Sequence, residues 1–343
     1  MYKILLLPLF LFLMPPKILN SDFQVSDLQE KIRQIDEETS GNIGVYIKNL
    51  DDGEIVNHNG DRRWYLASTI KIPVAIAILK KVEGGELSLD DELTMQESDK
   101  VDGAGDMHWQ DPGTVYTIRT LLEKMIKDSD STATDMLIRL IGQEEFNRQI
   151  REEMVSEGFE PITTILQVRY EAYGELHENA TNLTNMDIIR LRGISDISDR
   201  LDELIRLMDV ERHEINAENI VDAFYKYYEG GLNSGRLDAM GLMLERLVKG
   251  EYLSEEYTDL LIEIMKVIAT GDHRIKAGLP EGTRFAQKTG TLIGRACNVG
   301  VVYPPQADNP LIVAACAEDY EQLSDAEEAF QRVGQAITEM WLQ

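Results

Sequence analysis

The chain is 343 residues long, 43% hydrophobic and 28% charged, with 34 basic against 61 acidic residues and a formal net charge of −27. That length suits one large domain with a sizeable core. So negative a chain lacks the clustered basic surface that nucleic acid or anionic lipid demands, and the charge reads as solubility.

Met1-Tyr2-Lys3 precedes an apolar run from Ile4 to Met14. One cation followed by about ten apolar residues is a secretory-signal pattern, too short to span a bilayer. Residues 1–21 are therefore expected to be a signal peptide removed near Asn20-Ser21, and the protein to be exported, periplasmic or secreted. Residues 22–343 are expected to form a single domain. A helix is predicted over 26–38, a strand over 41–48, a turn at Asp51-Asp52-Gly53 and a returning strand over 54–57. The next helix carries Ser68 and runs through 72–82 to Gly84-Gly85. The middle, 86–269, reads as helical, with helices over 117–127, 133–140, 143–157, 183–192, 198–208, 217–228, 235–248 and 255–268. Strands return at 284–288, 298–303 and 311–317, and a helix over 326–341 closes the chain. Strands at both ends of a helical middle predict an α/β (α+β) sandwich. An antiparallel sheet is built from 22–85 and 270–343, covered by terminal helices, with an inserted all-helical part.

The two cysteines, Cys297 and Cys316, flank a hairpin through Pro304-Pro305-Gln306-Ala307-Asp308-Asn309-Pro310. If Val302 pairs with Leu311, the cysteines face each other. Directly cross-strand bridges strain sheet geometry, so two buried, unbonded thiols are expected.

Three motifs carry chemistry. Ser68-Thr69-Ile70-Lys71 sets a hydroxyl and an amine one turn apart on one face. A serine needs a base, and a lysine serves as one only if burial or a neighbouring cation lowers its proton affinity. The run from Ile72 to Ile78 is apolar, so Lys71 opens a buried helix, and Lys288 is a candidate for the neighbouring cation. Ser129-Asp130-Ser131 supplies a second hydroxyl for proton transfer. It also reads as a plain helix start capped by Ser131 or Thr132. Lys288-Thr289-Gly290-Thr291 ends a strand whose backbone N–H groups suit a substrate or an oxyanion. Together these are the parts of an acyl-transfer enzyme that moves protons with lysine.

The three motifs in this order resemble those of class A β-lactamases and the wider Ser-x-x-Lys penicillin-recognising hydrolases, a set with a known mechanical reading. The resemblance extends from about residue 30 to the C-terminus and includes Gly271-Asp272-His273-Arg274-Ile275-Lys276-Ala277-Gly278-Leu279-Pro280. It implies the β-lactamase/transpeptidase-like fold, a β-lactam-hydrolysing activity through a Ser68 acyl-enzyme, and no cofactor or metal. Ser68 is implied as nucleophile, Lys71 as proton acceptor and Ser129 as shuttle. Lys288, Thr289 and Arg274 are implied as carboxylate contacts, and the N–H groups of Ser68 and Thr291 as the oxyanion hole beside Gly290. Ser131 stands where the family carries asparagine, which bears on substrate range.

The family's loop Arg-x-Glu-x-x-Leu-Asn has two counterparts. Arg169-Tyr170-Glu171 continues to Glu175-Leu176-His177 after two extra residues, and Arg212-His213-Glu214-Ile215-Asn216 is a shortened version. Glu171 is expected to activate the deacylating water, with an insertion somewhere within 194–233. If neither glutamate does so, the acyl-enzyme persists. A peptidoglycan D,D-peptidase, an esterase-like hydrolase and a non-hydrolysing β-lactam-binding protein are the rival readings. His108, Trp109 and His273 are expected to be packing or rim residues. The expected partner is a small-molecule β-lactam or a peptidoglycan-like substrate, with no nucleic acid, no stable membrane insertion after signal removal, and a monomeric chain.

Overall fold

The computed structural model describes residues 16–305 and 310–342, so the apolar run Ile4–Met14 and the tip of the 304–310 loop lie outside the described residues. Helix α1 (Pro16–Glu38) leads into β1 (Asn42–Asn49), β2 (Ile55–His58) and the short β3 (Arg63–Tyr65). A 3-10 turn, Ala67–Ile70, carries Ser68, and α2 (Lys71–Glu83) follows directly. The helical part then contains β4 (Glu92–Thr94), β5 (Val115–Thr117), α3 (Ile118–Lys127), α4 (Ser131–Ile141), α5 (Gln143–Gln149) and α6 (Ile165–Gly174). It continues with α7 (Asn185–Arg192), α8 (Ile197–Met208), α9 (Ile220–Glu229), β6 (Ser234–Arg236), α10 (Leu237–Val248) and α11 (Glu255–Lys266). The chain returns to β7 (Arg284–Leu292), β8 (Arg295–Tyr303), β9 (Leu311–Glu318) and α12 (Leu323–Trp341).

The main sheet runs β2-β1-β9-β8-β7 and is antiparallel throughout. Alternation along β9 explains why it is apolar from Leu311 to Ala317. Val313, Ala315 and Ala317 face a core shared with α1 and α12, while Ile312, Ala314 and Cys316 face the core that reaches α2, α3, α4, α10 and α11. A strand covered on both faces has no reason to alternate in polarity. A third core, built around Tyr173, Leu176, Leu204, Phe224 and Tyr228, holds α6 to α9 together. Among the described residues no helix is long and apolar enough to cross a membrane.

Two expectations are corrected here. The first part of the loop counterpart at 169–177 lies in a helix, Ile165–Gly174, capped by Thr164, whose side chain accepts from Gln167 N. The cysteines are bonded: Cys297 and Cys316 face each other across β8 and β9 and form a disulfide. Their Cα atoms are 4.0 Å apart, the close spacing of a narrow antiparallel pair, and that closeness brings the two sulfurs within bonding reach. The Val302–Leu311 register holds as expected.

The bridge spans 19 residues. Loop-closure entropy for that span is worth about 3 kcal/mol. A reductant should therefore lower the urea midpoint of unfolding, and a Cys297→Ala/Cys316→Ala variant should lose the sensitivity to reductant.

Candidate active site

The 3-10 turn before α2 puts Ser68 and Lys71 on one edge, because residues three apart eclipse in that geometry. Ala67, just before the nucleophile, has φ +46°, and Ser129 has φ +56°. Left-handed backbone at residues with a Cβ is held only where the surroundings over-determine it, and here it brackets the reacting groups. Strand β7 lies against the turn. A Cβ at Gly290 would sit 2.7 Å from the Leu66 carbonyl oxygen and 2.9 Å from the Ser68 nitrogen, so only glycine lets the strand pass.

Lys71 and Lys288 are both fully buried, and both reach Ser129. Lys71 Nζ donates to the Ser129 carbonyl at 2.5 Å and to its Oγ at 3.2 Å. Lys288 Nζ donates to the same Oγ at 3.0 Å and to the Thr289 carbonyl at 3.0 Å. One hydroxyl thus joins two amines. Burial brings the Lys71 proton affinity down to about 8, against the pull of Asp130 and Asp135 and with help from the Arg169 cation. Burial also holds Lys288 well below the ordinary lysine range, with Lys71 and Arg274 adding to the effect. Burial, rather than Lys288, is the main cause for Lys71. Taking an ammonium out of water costs more than a few nearby charges return.

Asp130 and Asp135 are spent on structure. Asp130 caps α4, accepting from Ala133 N at 2.8 Å and from Met107 N at 3.0 Å. Asp135 accepts from Ile165 N at 2.6 Å and Leu166 N at 2.9 Å, which fastens the start of α6 to α4. Burial raises the Asp135 carboxyl to about 6.

The pocket at Ser68 is lined by Tyr65, Ala67, Gly103, Ala104, Ser131, Thr291 and Leu292, and on the α6 side by Ile165, Val168 and Arg169. Ser131 is buried, with its N–H bonded to the Ala104 carbonyl. Thr289 bonds Thr270 through the two hydroxyls at 2.6 Å. Arg274 is buried behind β7. It donates to the Gly290 and Cys297 carbonyls and to Thr291 Oγ1 at 2.8 Å, and it pairs with Glu327. The structure therefore brings Ser68, Lys71, Ser129, Ser131, Lys288, Thr289, Gly290 and Thr291 together, with Arg274 supporting the strand from behind.

It does not bring Glu171. Two residues along a helix is a turn of roughly 200°. Arg169 is on the pocket side, whereas Glu171 is exposed, bonded to Gln167 Nε2 at 3.2 Å, and not among the described residues that line the pocket. Glu214 is exposed on a 3-10 turn, where its carboxylate accepts from Glu211 N. Among the described residues no carboxylate lines the pocket. His108 is buried against the exposed Trp109, with ring centroids 4.5 Å apart. Among the described residues no group of His, Cys, Asp and Glu is placed to hold a metal ion.

Residues 27–341 match the β-lactamase enzyme family. The chain belongs to that family. It is 25% identical over 329 residues to β-lactamase VEB-1 of Pseudomonas aeruginosa, covering 93% of this chain and 91% of that one. Solved structures share the fold. One is PBP-A, as the acyl-enzyme complex of a leucine-to-glutamate mutant with penicillin G, at TM-score 0.68 and 24% identity, covering 92% of this chain and 96% of PBP-A. Another is the β-lactamase of Sphaerobacter thermophilus, at TM-score 0.66 and 24% identity, covering 93% and 98%.

Sequence reading missed Arg169 as a pocket residue and Asp135 as the clamp on α6. The signal for Asp135 was a lone acid among Ala133, Met136, Leu137 and Ile138, a setting that tolerates a carboxylate only if it is bonded. Asp135→Leu leaves two buried N–H groups without acceptors. It should cost about 2–4 kcal/mol in urea unfolding, and Asp135→Asn, which keeps one acceptor, should cost less.

Proposed function

We propose that this chain is an exported serine hydrolase that opens β-lactam rings by acyl transfer to Ser68 and then hydrolyses the ester, with deacylation as the slow step. The observation that carries the reading is the buried Lys71–Ser129–Lys288 network beside Ser68. Neutral Lys71 takes the Ser68 proton, and Oγ attacks the lactam carbonyl. The carbonyl–nitrogen bond breaks, and the ring nitrogen receives a proton from the Ser129 hydroxyl, which is reprotonated from the lysines. The N–H groups of Ser68 and Thr291 hold the oxyanion, Lys288 and Thr289 serve the substrate carboxylate end, and Arg274, its donors taken by Gly290, Cys297, Thr291 and Glu327, supports their strand from behind instead of touching substrate. Water then attacks the ester, releasing the ring-opened acid and restoring the Ser68 hydroxyl.

A second reading is favoured by a specific observation. With no carboxylate on the pocket wall, the attacking water has Lys71 as its base, and the acyl-enzyme lives long. The same machinery then suits a penicillin-binding protein or a peptidoglycan D,D-peptidase. The apolar run Ile4–Met14 and the disulfide both fit an oxidising, extracytoplasmic setting.

Intact-protein mass spectrometry during reaction with a penicillin tests the reading. The expected result is a Ser68 adduct carrying the whole penicillin mass, cleared at least about 100-fold more slowly than it forms, and absent in Ser68→Ala. No adduct on the wild type would refute acyl transfer. An adduct that never clears, with release of D-alanine from an acyl-D-Ala-D-Ala peptide, would favour the peptidase. Glu171→Ala should clear the adduct within about twofold of wild type, since the side chain faces solvent.

A further inference from the structure

We infer that Arg169 makes this enzyme selective for substrates with an anionic group on the acyl side of the bond that is broken. The inference rests on the acyl-transfer reading above and deepens it.

Arg169 is 8% exposed and lines the Ser68 pocket. Its Nε donates to Asp102 at 2.7 Å, across from α6 to the loop that also carries Gly103. Among the described residues neither Nη nitrogen donates to a protein acceptor, so the outer edge of the guanidinium is left for a ligand. Its neighbours on that wall, Ile165 and Val168, are apolar. Among the described lining residues Arg169 is the one cation, and the polar side chains of Tyr65, Ser68, Ser131, Asn233 and Thr291 are neutral. A guanidinium edge offers the two parallel N–H groups that a carboxylate accepts.

The nearby acids do not contest that role. Asp130 and Asp135 are turned into backbone N–H groups at helix N-termini, where their charge is already met. Asp102 holds the Nε side. A second arginine, Arg192, donates to the Gly103 carbonyl at the same rim. The two ends come from different elements: Arg169 lines the pocket from α6, whereas Lys288 reaches Ser129 from β7. In a chain of net charge −27, which repels anions at long range, a buried guanidinium in the pocket supplies short-range selection.

The test compares benzylpenicillin with its α-carboxy analogue, which differ by one carboxylate on the acyl side chain. Second-order acylation constants are measured for wild type, Arg169→Gln and Arg169→Lys. The ratio of carboxylated to plain substrate should be about tenfold higher in wild type than in Arg169→Gln, with Arg169→Lys between them. The wild-type ratio should also fall as salt rises. An equal ratio in wild type and Arg169→Gln would overturn the inference. If Arg169→Gln does not fold, Asp102→Asn, which keeps the guanidinium and withdraws the negative charge on its Nε side, should raise the ratio; no rise would overturn it. If neither penicillin acylates the wild type, the Ser68 reading fails instead.

Discussion

Two lysine side chains, Lys71 and Lys288, are buried around one serine hydroxyl, and the rest of the structure is arranged to make that possible. An ammonium out of water is costly, and the cost appears as a lowered proton affinity. That is the property a Ser68 base requires. The carboxylates that act on Lys71, Asp130 and Asp135, are tied to helix N-termini and limit the shift without forming direct bonds to it. A direct ion pair would hold Lys71 protonated and useless as a base. Because its folded proton affinity lies below the unfolded value, Lys71 withdraws stability when charged. Its contribution grows as pH rises from about 8 toward 10.5.

The residues in this network come from segments far apart in sequence, and the sheet and helices fix their spacing. Strand β7 brings Lys288 past Ser68 because Gly290 clears the Leu66 carbonyl. Cys297 pairs with Gly290 in the sheet register, so the disulfide sits one strand behind the closest approach to the nucleophile. Arg274 donates to the carbonyls of both residues and ties them from the outer face. On the other side, Asp135 fastens α6 to α4, and the buried Arg169–Asp102 pair fastens α6 to the loop over Ser131. The pocket is thus a seam between the sheet half and the helical half.

Much of this was legible in the sequence because the catalytic groups carry local signatures. Ser-x-x-Lys before an apolar run, Ser-Asp-Ser before a helix and Lys-Thr-Gly at a strand end each follow from short-range rules, and the sheet built from both chain ends follows from element order. Two matters did not follow. The side of α6 that faces Ser68 depends on helix phase, and matching 169–177 to a loop put Glu171 at the water and gave Arg169 no place in the pocket. Once the segment is a helix, Arg169 lines the pocket and Glu171 faces solvent. The state of Cys297 and Cys316 depends on whether their pair is narrow or wide, which pairing register alone does not specify.

Burial sets Lys71 as a base that titrates near physiological pH. Site-selective observation of the lysine ε-methylene by NMR, titrated from pH 6 to about 11 with Lys71→Arg as the assignment control, measures it directly. The account predicts a midpoint near 8 for Lys71. A midpoint at the ordinary lysine value near 10.5 would contradict it.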